Sequence, residues 1–163
     1  MINQWVEFGM NKKIGMIGSI INVFTVIAFA ICMLISFDFG SYFVCIFLSL
    51  SFILMITSFE AECNKDNQVA GRVASIFAGI YATLILIVYF TQCTTVMNES
   101  LTGSALQILN YKQMGLMFNL DLLGYSLMAL STFFIGLTIN VKNKKDKILK
   151  ALLLIHGIFF ISC

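Results

Sequence analysis

The sequence has no proline, one histidine and one tryptophan, and only 11% of its 163 residues are charged. Each shortage excludes something. A lone histidine, His156, cannot supply both axial ligands of a bis-histidine haem. No His, Cys or carboxylate spacing suits zinc, so neither metal nor cofactor is expected. The five cysteines, Cys32, Cys45, Cys63, Cys93 and Cys163, form no C-x-x-C pair, which removes a thioredoxin-like dithiol. Walker A, H-E-x-x-H and G-x-S-x-G patterns are missing, and no catalytic set stands out. No basic patch interleaves with aromatics, so no nucleic acid partner is expected. Without proline, half of the Pro/Gly interruption pattern of broken transporter helices is absent.

What the chain does have is apolar length. Hydrophobic residues make up 60%, against about 45–50% in an ordinary soluble domain, and the mean hydropathy is +0.95. The length alone would suit one soluble domain, but the uncharged runs reach the roughly 20 residues that a helix needs to cross a bilayer. The reading is an all-α polytopic membrane helix bundle, one transmembrane domain over residues 1–163, with full spans at about 14–36, 42–59, 73–96 and 114–139. A fifth, partial or truncated span covers 148–163; at roughly 24 Å as a helix it falls short of the bilayer core. Either a longer parent chain continues it, or this end is re-entrant or interfacial. Lys12 and Lys13 followed by Ala28-Phe29-Ala30 imitate a signal peptide, but the apolar run continues to Ile35, so a retained span is expected in place of cleavage.

The connections carry weaker expectations. Ile2, Trp5 and Val6 suit a short interfacial helix or, equally, a disordered terminus. Phe37 to Ser41, with Gly40, reads as a tight turn between antiparallel neighbours. After residue 97, Asn98 or Ser100 would cap a short amphipathic surface helix with Leu101, Ala105, Ile108 and Leu109 on one face. Asn98-Glu99-Ser100 also fits a glycosylation sequon.

Charge sets an orientation. With the N-terminus inside and alternating spans, inside segments hold Lys12, Lys13, Lys65, Arg72, Lys142, Lys144, Lys145, Lys147 and Lys150, and outside segments hold only Lys112. Basic residues concentrate in cytoplasmic loops. The chain is therefore expected in a cell membrane, multi-pass, with its N-terminus cytoplasmic and its C-terminus on the outer side.

Small residues mark helix contacts. The third span carries Gly71, Ser75 and Gly79 along one face and Ala74, Ala78 and Ala82 along another, a spacing that lets backbones approach. This span should sit centrally. Gly15 with Ser19, and Gly18 with Asn22, repeat the pattern in the first span. Tight packing within the chain and contact with a second copy or a larger membrane complex both fit these rows. The bilayer itself is the partner the composition implies.

One carboxylate, Asp121, lies inside a long apolar run. A charge there costs several kcal/mol, about 2.5–3.5 on insertion scales, so such a group faces the bundle interior or a wet cavity and has a partner. Tyr125, four residues on, shares its face. Tyr89 and Gln92 lie at the matching end of the third span, with Thr91, Thr94 and Thr95 nearby. The cluster of Asp121, Tyr125, Tyr89 and Gln92 reads either as an outward-facing pocket for a small ligand, proton or headgroup, or as a hydrogen-bond lock between helices. His156 reads either as a relay partner of Asp121 or as a neutral ring bonded to a carbonyl or hydroxyl. Cys45 and Cys93 approach the same side, where a disulfide or two buried thiols would fit.

The stretch Leu120-Asp121-Leu122-Leu123-Gly124-Tyr125 resembles one seen in small uncharacterised multi-pass membrane proteins of bacteria. The resemblance covers a few residues of one helix and implies no activity. Three functions follow from the residues: a binding or sensing module around Asp121, a small transporter or proton-coupled subunit using Asp121 and His156, and, ranked last, an intramembrane enzyme.

Overall fold

The computed structural model describes residues 9–97 and 101–161. The interfacial helix at Ile2, Trp5 and Val6, the sequon and cap at Asn98 to Ser100, and Cys163 lie outside the described residues.

The described chain is helical and contains no strand. Four helical segments are long and apolar enough to cross a membrane. They are α1 (Met10–Leu34), α2 (Asp38–Ala61), α3 (Gln68–Thr91) and α5 (Leu116–Thr138). A 3-10 turn, Lys65–Asn67, leads into α3, and a π turn, Gln92–Val96, prolongs it. The short α4 (Gly103–Leu109) lies between α3 and α5, and α6 (Lys144–Ile158) ends in a 3-10 turn, Phe159–Ile161.

Boundaries differ from the hydropathy pattern where capping chemistry intervenes. The first turn falls at residues 35–37, ahead of the expected Phe37 to Ser41, because Ser36 takes the left-handed conformation, φ 53°, and α2 has begun by Asp38. Phe37 N–H donates to the Cys32 carbonyl (2.9 Å) and Ser36 N–H to the Met33 carbonyl (3.3 Å), the paired bonds of a Schellman motif. At the other end, α6 starts at Lys144 and not Ile148. Asn143 Oδ1 accepts from Asp146 N–H (3.0 Å) while Asp146 Oδ2 accepts from Asn143 N–H (3.3 Å), a reciprocal capping box. In α4 the half-buried side chains are Leu106 and Leu109, whereas Ala105 and Ile108 are exposed, so its inward face is rotated from the expected one.

Sequence neighbours pack antiparallel. Ser58 Oγ donates to the Asn11 carbonyl (2.7 Å) and Asn22 Nδ2 to Ser51 Oγ (3.2 Å), which sets α1 against α2. Lys12 and Glu62 pair at the same end, 3.9 Å apart and both exposed. Gly18 makes this contact close: a Cβ there would meet the backbone of Ser51 and Met55. α3 packs against both α2 and α5. Its Ala74, Ala78 and Ala82 are buried, and Ser131 Oγ of α5 donates to the Ala74 carbonyl (2.8 Å). In the parallel row, Gly71 is buried and Ser75 Oγ donates to Glu60, whereas Gly79 faces open space. α6 packs against α5, where Gly157 sits on the backbone of Phe133.

The core is apolar between the helices, with Ile56, Ala78, Ile85, Val88 and Ile135 fully buried. The outside is apolar too: Phe24 is 68% and Ile76 61% exposed. A water-soluble bundle rarely shows contiguous surface of this kind, and the arrangement is compatible with a membrane protein.

Candidate functional site

Asp121 lies in the second turn of α5 and is only 4% exposed. Its burial follows from register. Met117, Asp121, Gly124 and Ala129 are all buried along α5, and Gly124 lets Ile85 of α3 come close. The carboxyl is thereby placed level with the C-terminal part of α3.

Its partner is one the sequence did not single out. Tyr111 Oη donates to Asp121 Oδ2 at 2.8 Å. Tyr111 lies in the connection between α4 and α5, ten positions before Asp121. The other carboxyl oxygen, Oδ1, is buried and has no hydrogen-bond partner. Tyr89 is the next neighbour, within interaction range of Asp121, Tyr111 and Tyr125.

Gln92 explains how Tyr111 reaches the carboxyl. It is 1% exposed and does not bond Asp121. Its Nε2 donates to the Leu109 carbonyl (2.8 Å) and its Oε1 accepts from Tyr111 N–H (3.0 Å). One side-chain amide thus satisfies a donor and an acceptor of a backbone that has left helical geometry. The connection is pinned to α3, and Tyr111 points inward over Asp121. Rings reinforce the closure. Tyr111 stacks on Tyr89 (6.0 Å between centroids) and meets Tyr42 (5.7 Å) and Phe118 (5.8 Å), while Tyr42 stacks on Tyr89 at 5.6 Å. Burial, and then the bond to the Asp121 carboxyl, push the Tyr111 phenol above the ordinary tyrosine range.

Tyr125 shares the Asp121 face as expected, but its hydroxyl approaches Cys45 Sγ (3.9 Å) and its ring lies 5.9 Å from Tyr81. Tyr81 is fully buried, and its hydroxyl, like Asp121 Oδ1, has no hydrogen-bond partner among the described residues. All five tyrosines of the chain therefore gather in one half of the bundle's interior. Thr91 and Thr94 stand apart, each hydroxyl donating to its own helix (2.6 and 2.7 Å). Cys45 and Cys93 are both free thiols.

His156 is not brought to Asp121. It pairs with Thr132 of α5, Nδ1 to Oγ1 at 2.8 Å, and Thr132 lies roughly 16 Å further along the helix than Asp121 by residue rise. Among the described residues no three His, Cys, Asp or Glu side chains come together as a metal set.

A sequence signal for Tyr111 did exist. It is an aromatic residue just outside the span that bears the carboxylate, the position from which a phenol can reach back into the first turns. Comparison of the chain with protein-family models, with curated proteins and with solved structures gives no match.

Proposed function

We propose that the chain is an integral membrane protein with its lysine-rich end in the cytoplasm, and that it works as a binding or sensing module whose site is the Asp121 layer. The site opens toward the outer side, where the segment from α4 to Tyr111 closes it. The observation that carries this reading is the carboxyl itself: one oxygen is held by Tyr111, and the other is buried without a formed hydrogen bond, with the Tyr89 phenol close to the carboxyl. A buried acceptor without a partner costs about 1–3 kcal/mol. A small cation or hydrogen-bond donor reaching Oδ1 would recover that cost.

The transporter reading needs a polar path beyond Asp121 toward the lysine-rich end. Ile85, Ile56, Ala78 and Ile135 occupy that interior, and Ser131 donates to backbone. The geometry therefore favours a one-sided site. The bilayer is the expected partner, and the open flank at Gly79 is where a second copy or a larger complex would fit.

The test is thermal unfolding of the purified protein with ammonium, methylammonium and tetramethylammonium ions over a concentration series. A ligand for the native state raises the midpoint by mass action. The reading expects one of the smaller ions to do so in the wild type and not in Asp121→Asn. If none of them moves the wild type, and Asp121→Asn melts like it, Asp121 is only a lock between helices.

A further inference from the structure

The lysine-rich end of the chain holds charge that no contact within the described residues uses. Lys142, Lys144, Lys145 and Lys147 are exposed, and among the described residues no carboxylate pairs with any of them. Asp146, the one acidic residue in this run, commits its carboxyl to backbone: Oδ2 accepts from Lys142 N–H (3.0 Å) and Asn143 N–H (3.3 Å). Glu62, which shares a cleft with Lys142, faces Lys12 at 3.9 Å. Lys150 differs from the other four, because its Nζ donates to the Ile139 carbonyl (3.2 Å) just beyond α5. Helix stability does not explain the run either. Cations are favourable near a helix C-terminus and unfavourable near its N-terminus, yet Lys144 and Lys145 open α6.

The lysines share a face with exposed hydrocarbon. At 3.6 residues per turn, Lys144, Lys145 and Lys147 spread over an arc of about 160° around the α6 axis. The same arc carries Ile148, Leu152, Ile155 and Ile158, each 57–61% exposed. The opposite side of the helix is the one that packs: Lys150 bonds the Ile139 carbonyl there, and Gly157 sits on Phe133 of α5. The outer face of α6 is therefore continuous, with ammonium groups first and bare hydrocarbon after them.

Charge and length together select the occupant. From Lys147 to Ile158 the helix rises roughly 16 Å, about half of a bilayer core that is about 30 Å thick. An acidic soluble protein would match the charges and leave the hydrocarbon bare. A sterol or a neutral lipid would cover the hydrocarbon and leave the charges unmatched. A phospholipid of net negative charge supplies an anion and then acyl chains, in the order and over the length that α6 presents. Basic segments beside a membrane span attract such lipids. We propose that the outer face of α6 is a docking surface for anionic phospholipids, with their phosphates at Lys142, Lys144, Lys145 and Lys147 and their acyl chains along the apolar strip. The inference rests on the membrane reading and is independent of Asp121.

The experiment uses the full chain in phosphatidylcholine vesicles whose two leaflets are alike, so the result does not depend on which way the chain faces. Trace phosphatidylglycerol or phosphatidylcholine carries a diazirine in one acyl chain, and light attaches it to the protein. Labelling of α6, scaled to labelling of α3 around the exposed Ile87 and Phe90, should be about five-fold higher with phosphatidylglycerol, the value of one lysine at an anionic surface. Salt at about 1 M, which shortens the screening length to about 3 Å, should bring the two lipids level. The combined variant Lys142→Gln, Lys144→Gln, Lys145→Gln and Lys147→Gln should do the same with no loss of melting temperature, since Asn143 and Asp146 still cap the helix. The salt series needs no variant and decides the matter if this one folds poorly. Lys12→Gln with Lys13→Gln should leave the preference in place. Equal labelling by the two lipids, a preference indifferent to salt or retained without the four lysines, or displacement by inorganic phosphate at constant ionic strength would each overturn the proposal. If the chain does not float with the vesicles, the membrane reading falls with it.

Discussion

Asp121 and His156 are both titratable groups set inside apolar helices, but their partners come from different places. The donor to Asp121 is Tyr111, which belongs to a connecting segment and arrives only because Gln92 pins that segment's backbone. The partner of His156 is Thr132, a hydroxyl already placed by regular packing of α6 on α5. The first arrangement is a chain of dependencies ending at a surface connection. The second is a single contact between two rigid elements. A site that must open belongs with the first kind, since opening it disturbs a connection and leaves the helices in place.

That contrast can be broken by mutation. Gln92→Leu leaves the Leu109 carbonyl and Tyr111 N–H without partners, and the expected loss is about 3 kcal/mol. A cysteine placed at Lys112 should become much more reactive toward a water-soluble maleimide in this variant. Tyr111→Phe keeps the ring stack and removes the donor to Asp121, with an expected loss of about 2 kcal/mol by thermal or chemical unfolding. The two substitutions act on one closure, so their effects should fall short of additive by more than about 0.5 kcal/mol. Gln92→Leu combined with Thr132→Val should simply add.

The Tyr111 phenol offers a pH readout of the same closure. Folding holds its proton more tightly than the unfolded chain does, so this contribution is fully present below the ordinary tyrosine value of about 10. It is lost as pH rises beyond that value toward the higher folded one. Ultraviolet difference titration should show one tyrosine ionising near the ordinary value in Gln92→Leu that does not do so in the wild type.

Smaller effects are expected where packing alone sets the contact. Thr132→Val removes the His156 partner and should cost about 1 kcal/mol, with no change in maleimide access at position 112. Met114 takes a left-handed conformation, φ 64°, in the turn closed by Gly115 N–H to the Lys112 carbonyl (2.8 Å). Met114→Gly should stabilise the closed segment by about 0.5 kcal/mol, since only glycine takes this conformation without steric cost.

The long helices were legible because their apolar runs match what a bilayer requires, and Asp121 was legible because a carboxylate stands out in such a run. The central place of α3 was legible from Ala74, Ala78 and Ala82. Gln92 was found for the wrong partner: spacing put it level with Asp121, but an amide satisfies backbone as readily as a carboxyl, and only the path of residues 109–111 decides between them. Tyr111 was missed because periodicity describes helices, and its contact comes from a segment with no period. The start of α6 was not legible from hydropathy, because the apolar run begins only at Ile148, whereas the reciprocal bonds of Asn143 and Asp146 start the helix among the lysines.

The contact of α1 has a consequence for how the molecule is made. Among the described residues α1 packs on α2, and α2 follows after a turn of a few residues closed by Ser36. The pair can assemble as soon as both helices have left the ribosome, with almost no loop entropy to overcome. α3 likewise packs on α2, α5 on α3 and α6 on α5, so each long helix has a main partner that precedes it in the chain. Each helix meets a surface already in place, so the order of synthesis is also an order of assembly, and the Tyr111 segment closes only once α5 has arrived.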